Sequence, residues 1–242
     1  YRDIKKGWKE IRRIENQIRD DILDRTQVVC CTCIGSGNEI LDGRRFPQVL
    51  IDEATQATEP ASLVALTRGA RQVVLVGDHK QLPPTVISFR AEEKGLKISL
   101  FERLVDLGIE PLLLSTQYRM HPAISKFPNQ HFYSNKLDDG VKPENRPAPA
   151  GLLWPDWDNP VAFVPVEGGE VVSPDGTSRE NPAEVSWVIK ILNDILEAGE
   201  ITKKDIGIIT PYAGQVRAIR NSMSEKLDDV EVKTVDGYQG RE

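Results

Sequence analysis

The sequence predicts an α/β fold in two domains, each with a mostly parallel sheet flanked by helices. Three observations carry that expectation. Short apolar runs alternate with capped or amphipathic helical stretches, the order that builds parallel sheets. Several runs end abruptly in polar clusters, as where Val49-Leu50-Ile51 meets Asp52-Glu53. The runs are also too numerous for one tidy sheet. A boundary placed at residues 108–111 gives a helical arm at 1–26 and domains at 27–110 and 111–242.

The elements follow in order. Ile4, Trp8, Ile11, Ile14, Ile18 and Ile22 recur at helical spacing, so the first 26 residues form an amphipathic helix, packed as an arm or as half of a helical pair. Strands are expected at 27–32, 48–51 and 72–76, with a short helix at 60–66 between the last two. A helix at 99–107 stops at Gly108, a strand follows at 112–115, and another helix begins near Pro122. Residues 138–160 are rich in Pro, Asp, Asn and Gly and read as a long surface connection. A strand is expected at 161–166. Asn181, Pro182 and Glu184 then supply a cap, a first-turn proline and a first-turn acid for a helix reaching Gly199. Strand, helix and strand close the chain at 206–210, 214–226 and 230–235.

Composition bounds the function. Of 242 residues, 39% are hydrophobic and 28% charged, which suits an ordinary globular protein. No apolar run is long enough for a membrane span, and the first residues carry no apolar signal region, so an intracellular setting, cytoplasmic or nuclear, is expected without membrane association. Cys30, Cys31 and Cys33 lack paired zinc-site spacing and read as buried, reduced thiols on a strand. The net charge of −6 argues against a broad basic surface but leaves room for a local basic cleft.

Polar clusters follow the expected strands at Thr32, at Asp52-Glu53, at Gly77-Asp78-His79-Lys80-Gln81-Leu82, at Gln117-Tyr118-Arg119-Met120-His121-Pro122, at Thr210-Pro211-Tyr212 with Gln215, and at 236–242. Open parallel sheets bind ligands beyond the carboxyl ends of their strands. Nucleotide hydrolysis needs one carboxylate there to hold magnesium and another to orient water. An acidic turn alone is the plain reading of Asp52-Glu53. His121 and His131 read as structural, Asp78 as a residue that shapes its turn, and Trp154 and Trp157 as packing or surface-loop residues.

Taken together these clusters resemble the superfamily 1 helicases of the up-frameshift, senataxin and immunoglobulin mu-binding helicase group. The resemblance rests on Asp52-Glu53-Ala54, on 77–83, on Ser99-Leu100-Phe101-Glu102-Arg103-Leu104, on 117–122, on Ile208-Ile209-Thr210-Pro211-Tyr212 and on 235–242, and it runs from about residue 27 to the end. It implies two RecA-like domains and ATP-dependent movement along single-stranded RNA, 5′ to 3′, with ATP hydrolysed in the cleft between the domains. Asp52 would hold Mg2+, Glu53 would position the attacking water, and Gln81 would sense the γ-phosphate. Arg119 would stabilise charge on the transferring phosphoryl group, and Tyr118 would stack on the adenine. Gly240 would admit phosphate close to the backbone, and Glu242 would bond the ribose. Thr32 and Thr210 would grip nucleic-acid phosphates, with Pro84, Tyr212, Gln215 and Gln239 as further contacts. Backbone contacts of this kind imply little sequence preference. Single-stranded RNA or DNA and regulatory proteins are the implied partners of a monomer.

The sequence departs from the group in lacking the phosphate-cradling Gly-x-x-x-x-Gly-Lys-Ser/Thr loop and the last arginine motif. Truncation at both ends is the expected explanation, with this piece alone hydrolysing ATP poorly. Two other readings share the same residues: a DNA helicase of the group, and an inactive helicase-like scaffold that binds partners.

Overall fold

Isoleucines three or four residues apart wind the start of the chain into helix α1 (Arg2–Arg25). Its apolar stripe is exposed along its length, and Arg44 ties its last turns down through Asp20 and Asp24. The computed structural model describes residues 2–240, which divide into two units, Tyr1–Ile109 and Glu110–Glu242. Both mix helices with parallel strand pairs, so the α/β class holds.

In the first unit, β1 (Gln48–Ile51) runs parallel to β2 (Gln72–Leu75), with Ile51 opposite Leu75. The crossover between them carries α2 (Glu59–Leu66), followed after β2 by α3 (Phe89–Glu93) and α4 (Leu100–Asp106). Ser99 caps α4 by accepting the Glu102 N–H at 3.1 Å, the Ser-x-x-Glu pattern of a helix start. Arg103 of α4 grips Glu59 of α2 through two hydrogen bonds of 2.7 and 2.6 Å. That fork lowers the Glu59 pKa.

In the second unit, β3 (Thr116–Gln117) leads into α5 (Pro122–Phe132) and returns to pair in parallel as β4 (Asp138–Asp139). An antiparallel hairpin follows, β5 (Val171–Val172) with β6 (Arg179–Glu180). Asn181 then caps α6 (Pro182–Glu197), accepting from the N–H groups of Ala183 and Glu184. Beyond it β7 (Gly207–Thr210), α7 (Ala213–Ser222), β8 (Glu231–Thr234) and the single turn α8 (Val235–Tyr238) complete the chain. β7 and β8 are parallel, with Thr210 opposite Thr234. Val185, Val216, Ile219 and Val232 form the core between α6, α7 and β8, and a second cluster of Leu192, Leu227 and Val230 extends it.

Three expected strands do not form. Residues 27–32, 112–115 and 161–166 belong to no ladder among the described residues. An apolar run signals burial but does not supply the neighbour whose N–H and C=O groups make a strand. Here Val28, Leu112, Leu114 and Phe163 are exposed. The expectation of buried thiols fails with the first of these strands: Cys30 and Cys31 are exposed and Cys33 is half-buried. Burial raises the Cys33 thiol pKa, and the neighbouring Cys31 adds to the effect.

The turn between β5 and β6 carries a titratable latch. Ser173 Oγ and the Thr177 N–H donate to Asp175, and Arg217 of α7 pairs with it at 2.5 Å. These bonds, Ser173 first, lower the carboxyl pKa from 3.8 to about 2. A depressed carboxyl contributes stability above its unfolded value and loses it as pH falls through the folded value. Acid titration monitored by circular dichroism should therefore show a loss of stability between pH 3.8 and about 2 that Asp175→Asn removes.

Candidate functional site

The acid pair sits where β1 stops. Ile51 is buried, and Asp52 and Glu53 emerge beyond it, exposed. The ladder persists past both strands: the Val76 N–H donates to Ile51 O at 2.9 Å and the Ala54 N–H to Val76 O at 2.7 Å. This draws Gly77 against the turn at Ala54–Gln56. A Cβ on Gly77 would lie 3.0 Å from both the backbone N and Oγ1 of Thr55, and 3.1 Å from the Ala54 N. A side chain there would have to push these atoms aside by a few tenths of an ångström, so glycine suits the approach. The buried Thr55 hydroxyl accepts the Asp78 N–H at 3.3 Å. Asp78 in turn accepts from the Lys80 N–H and from Gln81 Nε2, both at 2.9 Å. Asp52, Glu53 and Gln81 are thus set on adjoining turns of one ladder.

Glu53 has φ 51 and ψ 38, a left-handed conformation uncommon for a residue with a side chain. Asp52 Oδ1 accepts the Glu53 N–H at 3.0 Å, and Gln56 Nε2 donates to Glu53 Oε2 at 2.7 Å. A strained backbone held by its surroundings is a common mark of a functional position. Among the described residues no cage of three His, Cys, Asp or Glu converges on a metal position. A single exposed carboxylate such as Asp52 still fits Mg2+, which takes hard oxygen donors and leaves most of its shell to water and phosphate.

In the second unit the turn after β3 is organised by Gln117. Its Oε1 accepts the N–H groups of Arg119 and Met120, at 2.9 and 2.7 Å, and its Nε2 donates to Met120 O and Asp139 Oδ1, at 2.8 and 2.7 Å. Asp139 also accepts from Ser125 Oγ at 2.6 Å. His121, buried, caps α5 by accepting the Ala123 N–H at its Nδ1. Tyr118 is 68% exposed, with its ring against Gly140 where a Cβ would otherwise be. Arg119 is exposed, and its carbonyl accepts from Arg146 Nε at 3.2 Å. Sequence reasoning named Tyr118 and Arg119 but missed Gln117 and Asp139. A carboxamide between a strand and a turn was the available signal.

The expected nucleic-acid contacts divide. Thr32 is exposed, and its Oγ1 accepts the Gly35 N–H at 3.0 Å. Thr210 ends β7 almost buried, its Oγ1 accepting the Tyr212 N–H, while Tyr212 is exposed beside it. Two expectations are corrected. Pro84 is fully buried and presents no surface. Gln215 is 5% exposed, and its side chain bonds the Asn181 N–H at 2.8 Å and Glu184 at 3.2 Å, bracing the start of α6. Tyr238 folds back to donate to Glu231 O at 2.7 Å and covers Gly207, at the first residues of β8 and β7. Gln239 and Gly240 follow that turn, so no hydrogen bond joins them to Thr210 or Tyr212 among the described residues. Gly240 has φ +74, the left-handed region. Glu242 lies outside the described residues.

A cavity of about 720 Å³ opens beside the start of β7 and β8. None of the expected site residues lines it, and its lysines 203 and 233 are paired with Asp229 and Glu231. It is a charge-balanced cleft of the scaffold.

The two units thus define an α/β protein with acid-tipped parallel strands in one and a braced Tyr-Arg turn in the other. Residues 96–242 match an AAA domain family model, and residues 1–89 match a second model of the same description. The chain belongs to the AAA domain family. It is 43% identical to the Regulator of nonsense transcripts 1 homolog of Neurospora crassa, covering 97% of this chain and 22% of that protein. Identity to the Drosophila melanogaster homolog is 42%, over 97% of this chain and 20% of the relative. The ATP-dependent helicase NAM7 of Saccharomyces cerevisiae is 43% identical over 99% of this chain and 25% of its own length. The resemblance to up-frameshift-like superfamily 1 helicases therefore holds along nearly the whole chain, which spans a quarter or less of these relatives' length.

Two stability measurements test the acid-tipped ladder. Gly77→Ala should destabilise the first unit by about 1–3 kcal/mol in denaturant unfolding, because backbone rather than a flexible side chain opposes the new Cβ. Glu53→Gly should stabilise it by up to about 1 kcal/mol, since relief of the left-handed strain exceeds the added chain entropy.

Proposed function

We propose that the protein carrying this chain is an ATP-dependent helicase that moves along single-stranded RNA, in the 5′ to 3′ direction, on two RecA-like domains. The observation that supports this reading is the close approach of Gly77 to the Ala54–Gln56 turn, which sets the turn bearing Asp52 and Glu53 beside the one bearing Gln81. The names of the relatives agree with it, since one is called an ATP-dependent helicase.

Each unit carries residues suited to nucleotide chemistry. Asp52 would hold Mg2+, which would supply positive charge against the phosphates. Glu53 orients the attacking water, with its carboxylate held by Gln56 Nε2 at 2.7 Å. Gln81 reads the γ-phosphate from a turn already held by Asp78. From the second unit Tyr118 offers an exposed ring to the base and Arg119 a planar, permanently charged fork to the phosphoryl group. Thr32, Thr210 and Tyr212 meet the nucleic-acid strand, and Gln239 and Gly240 extend the contacts of the second unit. Pro84 and Gln215 serve instead as supports.

Nucleic-acid-stimulated ATP hydrolysis by the full protein tests the reading. Arg119→Ala should lower turnover by roughly 10³–10⁵, and Glu53→Gln should abolish stimulated hydrolysis while nucleotide binding persists. RNA and DNA homopolymers assayed side by side should show stimulation by RNA with little dependence on sequence. Wild-type turnover in both variants would overturn the assignment, and equal stimulation by DNA would overturn the substrate.

A further inference from the structure

We propose that Gln117 is a positioning residue for Tyr118 and Arg119, with the polarity of its carboxamide set by Asp139. The inference rests on the nucleotide role given above to Tyr118 and Arg119.

A primary amide has an accepting end and a donating end, and the two are easily interchanged by a flip of the group. Around Gln117 only one orientation is satisfied. The oxygen faces two backbone donors, the N–H groups of Arg119 and Met120. The nitrogen faces two acceptors, the Met120 carbonyl and the Asp139 carboxylate. A flipped amide would set oxygen against carboxylate and NH2 against two N–H groups. Asp139 can only accept when ionised, so it excludes the flip. It is itself fixed by the β3–β4 pairing and by Ser125 Oγ from α5.

The consequence falls on the two residues between these anchors. The backbone around them is held at the Arg119 N–H, the Arg119 carbonyl, the Met120 N–H and the Met120 carbonyl, three of these by Gln117 and one by Arg146. The Tyr118 ring rests on Gly140, next to Asp139. The exposed side chains of Tyr118 and Arg119 therefore leave a rigid turn, although neither is buried. Catalytic groups on such supports need no ordering when substrate arrives, and a misplacement of about 1 Å can cost roughly a hundredfold in rate.

The test uses the full protein with RNA-stimulated turnover, nucleotide KM and thermal melting as readouts. Gln117→Leu should lower kcat by roughly a hundredfold, and adding it to Arg119→Ala should lower kcat no further. Gln117→Glu sets two carboxylates face to face and should also be impaired. Combining it with Asp139→Asn restores a donor-acceptor pair between positions 117 and 139 but leaves the Met120 carbonyl unpaired, and should raise turnover at least about threefold over Gln117→Glu alone. A purely structural role predicts otherwise: losses that follow the melting temperature, that add to those of Arg119→Ala, and that the reversed pair does not rescue. Any of those results, or full activity in Gln117→Leu, overturns the inference. If Arg119→Ala itself retains full turnover, the nucleotide reading fails first and takes this inference with it. If Gln117→Leu fails to fold, the Gln117→Glu and reversed-pair comparison decides alone.

Discussion

The contact on which the first unit depends is backbone against backbone. The β1–β2 ladder carries on through Val76 and Ala54, and Gly77 packs so close to Thr55 that an added Cβ would meet it at 3.0 Å. The hydrogen bond from the Asp78 N–H to the Thr55 hydroxyl then locks one turn to the next. Two carboxylates and a carboxamide lie on adjoining turns, and among the described residues no large buried cluster belongs to this unit. Their order comes from ladder geometry more than from hydrophobic burial.

The second unit solves a similar problem by another route. Its core of Val185, Val216, Ile219 and Val232 lies under β7 and β8, away from the Tyr118–Arg119 turn. That turn leans on a polar network of Gln117, Asp139 and Ser125. Polar networks hold geometry well when every donor and acceptor is used, and they lose it when one member changes. An exposed arginine with an ordered backbone is the expected product.

Much of this arrangement was readable from sequence where local chemistry decides it. Asn181 caps its helix as its side chain dictates, and the strands ending at Ile51, Leu75 and Thr210 lie close to their apolar runs. Readings failed where a distant partner decides. The runs at 27–32, 112–115 and 161–166 have strand composition but no neighbour to pair with among the described residues. Pro84 and Gln215 sit in the right blocks of sequence, yet packing turned one inward and gave the other to Asn181. The work of Gln117 was hidden for the same reason, since half of its bonding depends on a residue in β4.

Each parallel pair in the chain has only two strands among the described residues, and Leu50, Val73, Val74 and Ile209 on them remain substantially exposed. A lone two-stranded ladder is marginal in water, and its outer flanks offer unsatisfied amides to any extended peptide. Expressed by itself, such a polypeptide invites self-association through added strands. Charged gatekeepers or a solubilising fusion would suit its handling better than truncation toward a smaller piece.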